Sequence, residues 1–338
     1  MKNILFDIGH PAHVHLFRLL IIELKSRGHR VTVTSRSKDV THSLLDHYGI
    51  EHLSLSRVPR RPALMIGELL KRDLGVFKLH RKHKFQIALG TSVSIAHLSA
   101  LTRVKSFIFE EDDDAVVPTF AAITYPFSTG IVVPDCLKFT KWENKRIVHN
   151  SYHELAYLHP DLFTPDYAVL AKYHLEPERY VLIRGSALRA HHDVNIRGLR
   201  EDVLDRLSVL FKDYKILSSH EEGDSSAIDP WDMHHVLSFS KMLVTDSQTM
   251  TAEAACLGVP SIRYNSFVGK ISYLEELEHK YELTFGFSPG QEEQMYSKIE
   301  NLLGLEDLSG EWTGRKTQML ARKQNFLEWM LRFLEPLL

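Results

Sequence analysis

Two cysteines in 338 residues are too few for a disulfide framework, and Cys136 and Cys256 lie far apart in the chain. They read as reduced thiols, the usage of a cytoplasmic protein, and not as part of a metal site. Long apolar runs are missing too. Stretches such as Leu19 to Ile22 fall far short of the ~20 residues that span a bilayer. Met1-Lys-Asn-Ile-Leu-Phe-Asp7 begins a strand at once, so no secretory signal is expected. No internal repeat and no low-complexity segment interrupts the chain. What is present, 44% apolar and 25% charged residues, is the composition of a globular protein with length for two domains of about 150 residues.

The net charge of −2 conceals an asymmetry. Residues 1–150 carry 22 Lys/Arg against 14 Asp/Glu, and the remainder carries 19 against 29. The excess concentrates between Arg57 and Lys84, where nine Lys/Arg (Arg60, Arg61, Arg81 and Lys82 among them) face only Glu68 and Asp73. Interleaved Leu64, Met65, Leu69, Leu70, Leu74 and Phe77 make this a basic, partly amphipathic surface. The aromatic interleaving of a single-strand nucleic-acid binder is absent, so nucleic acid is not the expected partner. An anionic membrane surface or a phospholipid-linked substrate fits better, with a solvated Lys/Arg-rich pair of helices as the plain alternative.

Strand-like and helix-like segments alternate through the first half. Asn3 to Ile8 reads as a strand, followed by the loop Gly9-His-Pro-Ala-His13 and a helix from Val14 to Arg27 that Gly28 ends. Arg30 to Ser35 is a second strand and Lys38 to Tyr48 a second helix. Phe85 to Leu89 leads into Gly90-Thr-Ser-Val-Ser94, Ser106 to Phe109 into the acidic run Glu110 to Asp114, and Gly130 to Val133 reads as the last strand of this half. A Pro-rich stretch to Pro177 separates the halves. The alternation then restarts with Tyr180 to Ile183, a helix from Gly198 to Leu210, Tyr214 to Ser218 and His234 to Ser240. Ser261 to Tyr264 and a helix from Gln291 to Leu303 follow, and Gly314 to Leu338 reads as one long amphipathic helix. Such alternation implies parallel, doubly wound sheets, which bind ligands outside the carboxyl ends of their strands.

Val244-Thr-Asp-Ser-Gln-Thr-Met-Thr-Ala-Glu-Ala-Ala-Cys-Leu-Gly-Val-Pro260 carries the strongest chemical signal. A short apolar strand runs into a polar turn that opens a helix closed by Gly258 and Pro260. Asp246, Ser247 and Thr249 are N-capping residue types, and unpaired N–H groups with the positive dipole end attract anions. Glu253, one to two turns further in, is placed for a neutral polyol such as a ribose. The set suggests a nucleotide-diphosphate site, against the plain reading of an ordinary strand–turn–helix.

These segments resemble those of GT-B glycosyltransferases and of their structural relative, UDP-N-acetylglucosamine 2-epimerase. Gly9-His-Pro-Ala-His-Val-His15, with a helix and Gly28 behind it, is similar to the Gly-rich loop of the peptidoglycan GlcNAc transferase. Asp246 to Pro260 resembles the donor-binding segment of both families. Nearly end to end, the chain is similar to a prokaryotic family of glycosyltransferase-like proteins with the same Asp-Ile-Gly-His-Pro-Ala-His-Val-His opening, a resemblance that brings no assigned reaction. It implies a GT-B α/β fold: two doubly wound Rossmann-like domains facing across a cleft, plus a C-terminal helix. The divisions expected are an acceptor domain over 1–155, a linker over 156–177, a nucleotide-sugar domain over 178–315, and a helix over 316–338 packing back on the first domain. It further implies that Ser247, Gln248 and Thr249 contact a diphosphate and Glu253 the ribose, with Gly9, Gly185, Ser186, Asp246 and Met250 around the donor. Arg184 would be a cation at the phosphates. The epimerase pattern is incomplete: its Gly-Gly is Gln248-Thr249 here, and its Gly-Asp-Thr is Gly90-Thr91-Ser92.

Transfer with inversion needs a base at the acceptor hydroxyl and stabilisation of the departing diphosphate. His13, in a strand–helix loop, is the preferred base, with His10 and His15 as competitors. Glu110 and Glu111 are the alternative, Glu110 falling where the epimerase places a catalytic glutamate. Asp112 to Asp114 would raise one another's pKa values if crowded, or coordinate Mg²⁺ or Ca²⁺ if folded round an ion, but the run reads first as a solvated loop. His191-His192 and His234-His235 are each expected to supply one cleft residue. No Cys or carboxylate completes a tetrahedral set around His10, His13 and His15, so zinc is not expected, and the GT-B resemblance implies that no other metal or cofactor is needed. The reading is a metal-independent glycosyltransferase moving a sugar, from a UDP-sugar for preference, to a cell-envelope or polysaccharide precursor. It would be cytoplasmic and peripheral at the inner face of the membrane, with a lipid-linked acceptor. The alternatives are an epimerase-like enzyme acting on the nucleotide sugar and a non-catalytic nucleotide-sugar-binding protein.

Overall fold

The computed structural model describes residues 1–59, 61–185, 199–220 and 228–338. The chain divides into two compact units, Met1–Tyr157 with Gln324–Leu338, and Leu158–Lys323. No helix among the described residues is long and apolar enough to cross a membrane.

The first unit is built on β1 (Asn3–Ile8), β2 (Arg30–Ser37), β3 (Leu53–Arg57), β4 (Ile87–Gly90), β5 (Lys105–Phe109), β6 (Gly130–Pro134) and β7 (Arg146–His149). These form one parallel sheet in the order β3-β2-β1-β4-β5-β6-β7. The helices are α1 (Pro11–Ser26), α2 (Thr41–His47), α3 (Met65–His83), α4 (Val93–Leu101) and α5 (Pro118–Thr124). β1 is buried from Ile4 onward, as a strand covered on both faces requires. Phe17 of α1 meets Phe6 edge-on at 5.4 Å and Phe109 at 5.2 Å between ring centroids, tying β1 to β5 through the helix above them. Each fully buried side chain of this kind contributes about 1.5–3 kcal/mol. Leaving β1 the chain goes to β2 and β3 on one side, then returns to β4 on the other. The direction of winding therefore reverses between β1 and β4.

At that reversal the strands approach closely. Gly90, paired beside Asp7, has φ +155°, and a Cβ there would stand 2.5 Å from the Asp7 carbonyl oxygen. Asp7 itself is fully buried. Its carboxylate takes two hydrogen bonds from Arg72 Nη2 of α3, at 2.7 and 2.6 Å, one from Thr34 Oγ1 of β2 at 2.7 Å, and one from Ser92 Oγ at the start of α4. A buried charge is tolerated only when paired and hydrogen-bonded, and this one is both.

The second unit contains β8 (Tyr180–Gly185), β9 (Lys215–His220), β10 (Leu243–Thr245), β11 (Ser261–Tyr264) and β12 (Thr284–Phe287), parallel in the order β12-β11-β10-β8-β9. Its helices are α6 (Val169–Lys172), α7 (Glu201–Leu210), α8 (Met233–Ser238), α9 (Gln248–Leu257), α10 (Ser272–His279), α11 (Glu292–Leu303) and α12 (Leu308–Leu320). Here winding reverses between β8 and β10. α9 ends on Gly258 at φ +78°, the left-handed cap that glycine supplies at least cost.

Three features differ from expectation. Gly130 to Val133 is not the last strand of the first half, because β7 follows it, and β3 and β12 add two more strands with no clear apolar run. The C-terminal stretch is two helices, α12 and α13 (Phe326–Leu334). Asn325 breaks them apart by accepting from the Glu328 N–H at 3.3 Å, capping α13. α13 belongs to the first unit, where Phe326 packs on the His149 ring at 4.2 Å and Phe333 edge-on to Phe107 at 4.9 Å. Arg72, counted from sequence among the surface cations, is buried.

Replacing Arg72 by Met should cost about 3–5 kcal/mol, because it strands the Asp7 carboxylate in the interior. Urea unfolding checks this, and adding Asp7→Asn to the same chain should recover much of the loss. An isolated loss below 1 kcal/mol would show the pair to be dispensable.

Candidate functional site

At the first reversal point the three histidines of the opening loop take three different places. His10 is the N-cap of α1, its Nδ1 accepting from the Ala12 N–H at 3.2 Å. His15 is buried on the far side of the helix, stacked on Tyr157 at 5.3 Å and edge-on to Tyr48. Lys38 acts on both His10 and His13, but His13 is also in the field of Asp7 and Arg72. Burial first, then Lys38, pushes its pKa down to about 4, and Asp7 opposes this, so the imidazole is neutral near pH 7. Its Nδ1 accepts a long hydrogen bond, 3.4 Å, from the Gly9 N–H. In that tautomer the proton sits on Nε2, and the outward nitrogen donates. Acting as the expected base would require His13 to give up the Gly9 bond.

The acidic run after β5 is not a solvated loop, which corrects the sequence reading. Asp113 and Asp114 are buried and hold the 138–141 turn. Asp113 accepts from Lys138 N–H at 2.7 Å, and Asp114 accepts from the Thr140 N–H and hydroxyl at 2.9 Å and the Lys141 N–H at 3.0 Å. Glu110 curls back on its own loop, one oxygen accepting from the Glu111 and Asp112 N–H groups at 3.2 and 3.3 Å. Burial, then the charge of Asp112, drives its pKa up to about 8, so near neutrality it carries a proton and is an acid. Asp112 is raised to about 6 by burial and Asp113. Glu111 is raised well above the usual carboxylate range by burial and then Glu154. It accepts from the His153 N–H at 2.5 Å and faces His153 Nδ1 at 3.3 Å. His153 is lowered by burial first and then by electrostatic coupling to the His13 ring, which brings the two expected catalytic regions close to one another. The Glu111–His153 contact was not legible in sequence.

Of the residues expected to bind a nucleotide sugar, the reversal point of the second unit holds Arg184, Gly185, the run from Asp246 to Met250 and Glu253, whereas Gly9 lies in the first unit. Arg184 at the end of β8 pairs beside Thr245 at the end of β10, whose hydroxyl donates to the Arg184 carbonyl at 2.8 Å. Thr245 Oγ1 also receives the Ser247 N–H at 3.0 Å, fixing the turn. Ser247 caps α9, its hydroxyl accepting from the Met250 N–H at 3.3 Å. First-turn amides have no intrahelical acceptor, and Ser247, Gln248 and Thr249 are half-buried where those amides lie. Asp246 and Met250 are buried, and Asn265, following β11, donates to the Asp246 carbonyl at 2.8 Å. Glu253 lies deeper, 5% exposed, and meets His234 Nε2 of α8 at 2.9 Å. That decides the second histidine pair: His235 instead accepts from the Asp166 N–H and packs on Phe163. Thr245 and Asn265 were missed, although polar residues at strand carboxyl ends are the signal that marks such sites.

The remaining expectations fall elsewhere. Gly185 ends β8, while Ser186, Arg60 and the His191-His192 pair lie outside the described residues. Arg61, Arg81 and Lys82 are exposed, the last two in the final turn of α3.

Two parallel-sheet α/β units with polar groups at their reversal points define a GT-B-like fold. No protein-family model matches the chain, and no curated protein does. Among solved structures, S. aureus MnaA in a UDP co-structure is similar with a TM-score of 0.71 and 13% identity, over 99% of this chain and 97% of that one. The UDP-GlcNAc 2-epimerase of Neisseria meningitidis bound to UDP-GlcNAc follows at 0.68 and 11%, over 92% and 94%. The glycotransferase of kitacinnamycin matches at 0.59 and 12%, over 98% of both chains. At these identities the likeness is one of fold.

Glu110 makes stability fall with pH. Its pKa is raised from 4.5 to about 8, so between those values the folded chain holds a proton that the unfolded chain has released. Its contribution is intact below pH 4.5 and is progressively lost as pH rises toward 8. Urea midpoints at pH 5 and pH 8 should differ less in Glu110→Gln than in the parent; identical pH dependence would mean that Glu110 ionises freely.

Proposed function

We propose that the chain is a nucleotide-sugar enzyme, a glycosyltransferase that takes a UDP-sugar at the second unit's reversal point. The observation that carries this is the coincidence there of three features. The N-terminus of α9 offers amides and a positive dipole end to an anion, Arg184 ends the neighbouring strand, and Glu253 lies further along the same helix. Amides and a guanidinium suit a diphosphate that gains charge as it leaves, and a carboxylate suits the hydroxyls of a ribose. His234 fixes the direction in which Glu253 presents that carboxylate. The UDP and UDP-GlcNAc named with the similar S. aureus and N. meningitidis structures support a uridine nucleotide as the one held. For activating an acceptor, for which a cell-envelope or polysaccharide precursor is the class we favour, the first unit offers neutral His13 as the base once it gives up the Gly9 bond, with protonated Glu110 as an acid.

One observation favours a second reading, epimerisation of the nucleotide sugar. Glu110, which accepts the Asp112 N–H at 3.3 Å, and Asp112 are buried carboxyls on one loop, both raised by burial, and such a pair retains a proton near neutrality as removing and returning a proton on the sugar requires.

Incubation with UDP-GlcNAc alone in D2O, followed by proton NMR, separates the two. A transferase leaves the sugar's C2 proton in place and consumes donor only with acceptor, whereas an epimerase exchanges that proton for deuterium. In either case Glu253→Ala should weaken UDP binding about 10- to 100-fold, the loss of a charged hydrogen-bonding partner. Glu110→Gln should lower kcat by about 10²–10⁴ with little change in binding. Unchanged UDP affinity in Glu253→Ala would remove the ribose assignment.

A further inference from the structure

α3 is amphipathic in the reverse of the usual sense. Three of its charges turn inward: Arg72 grips Asp7, Glu68 pairs with Arg36 at 2.8 Å and accepts from Ser56, and Asp73 meets His97 Nδ1 at 2.8 Å. Only Arg72 and Val76 of this helix are buried. Several of its large apolar residues turn outward. Ile66, Leu70, Leu74 and Phe77 recur at helical spacing along one stripe and are 73%, 58%, 71% and 37% exposed, and Leu64 and Met65 precede them in the open. Lys71, Lys78 and Lys82, at spacings of seven and four, flank the stripe on one side, and Arg81 continues its line. All four cations are exposed, and both acids of the helix are engaged with partners.

Soluble proteins rarely leave contiguous apolar surface of this kind uncovered. We propose that this face of α3 docks on an anionic lipid bilayer surface. An apolar stripe bordered by cations of one sign is the design of a helix lying in the membrane interface: the stripe enters the acyl boundary while the lysines reach up to the headgroups. The charge is complementary to acidic lipid, and a single convex helix face suits a fluid surface that moulds itself to it. The inward pull of Arg72 keeps this rotation of the helix fixed, so the face is presented before any lipid arrives. A peripheral contact of this kind goes beyond the nucleotide-sugar reading and does not depend on it.

The test is flotation of the full chain, without nucleotide, on vesicles of phosphatidylcholine containing about a third phosphatidylglycerol, against vesicles of phosphatidylcholine alone. Binding should require the anionic lipid and fall in high salt. Each cation near such a surface contributes about five-fold to partitioning, so Lys78→Gln with Lys82→Gln should lower it about 30-fold. Leu70→Ser with Leu74→Ser should abolish it while leaving the thermal midpoint unchanged, since both side chains are already in water. The proposal fails if neither vesicle binds, if both bind equally, or if the charge-neutral variant binds as the parent does. It also fails if the parent forms a dimer in solution that the Leu70→Ser, Leu74→Ser variant dissolves, which would assign the face to a second copy. Because the vesicles carry no nucleotide, none of these outcomes bears on UDP-sugar binding.

Discussion

A carboxylate with no exposed surface at the end of β1 is a demand that the rest of the first unit has to meet. Asp7 stands where the sheet reverses its winding, and burying a charge there is tolerable only with a fixed set of donors. Thr34 answers from β2, Ser92 from the start of α4, and Arg72 from α3, so one side chain ties four elements together. The same charge opposes the lowering of the His13 pKa. Because Arg72 must point inward, α3 is rotated so that Ile66, Leu70, Leu74 and Phe77 face out. One buried ion pair thus links the polar loop over β1 to an apolar, cationic surface.

The second unit solves a similar problem with neutral groups. Thr245 and Ser247 from the turn between β10 and α9, and Asn265 from beyond β11, hold the helix start through neutral side chains hydrogen-bonded to backbone, around the buried Asp246. Pre-organised amides of this kind cost little reorganisation when an anion arrives. Glu253 and His234, both nearly fully buried, add a fixed carboxylate further along α9.

Much of this was legible in the sequence, and the failures share causes. β1, β2, β5, β6, β8, β10 and β11 were readable because strands covered on both faces are short apolar runs bounded by glycine or polar residues. β3, β7 and β12, the three that were missed, are all edge strands, which bury less and show weaker runs, although the fourth edge, β9, was readable at Tyr214 to Ser218. Leu53-Ser-Leu-Ser-Arg57 is mostly in solvent. The Ser247 cap and the Glu253 spacing were readable because they are local to one helix. The roles of His10, His13 and His15 were not, since a difference of two or three residues decides between cap, charged pocket and core. Nor was Arg72, whose partner is 65 residues away. The spacing of Arg72 and Val76, opposite the Ile66–Leu70–Leu74 stripe, was the one available sign of its inward direction.

The central claim is that the second unit holds a uridine nucleotide through the start of α9, and direct titration is its sharpest test. Thermal unfolding should be followed across a panel of nucleoside diphosphates, with UDP raised toward 100 times its Kd. UDP should then stabilise the fold by about 2.7 kcal/mol and shift the midpoint upward more than ADP, GDP or CDP at equal concentration. A midpoint that no nucleotide moves would contradict the account.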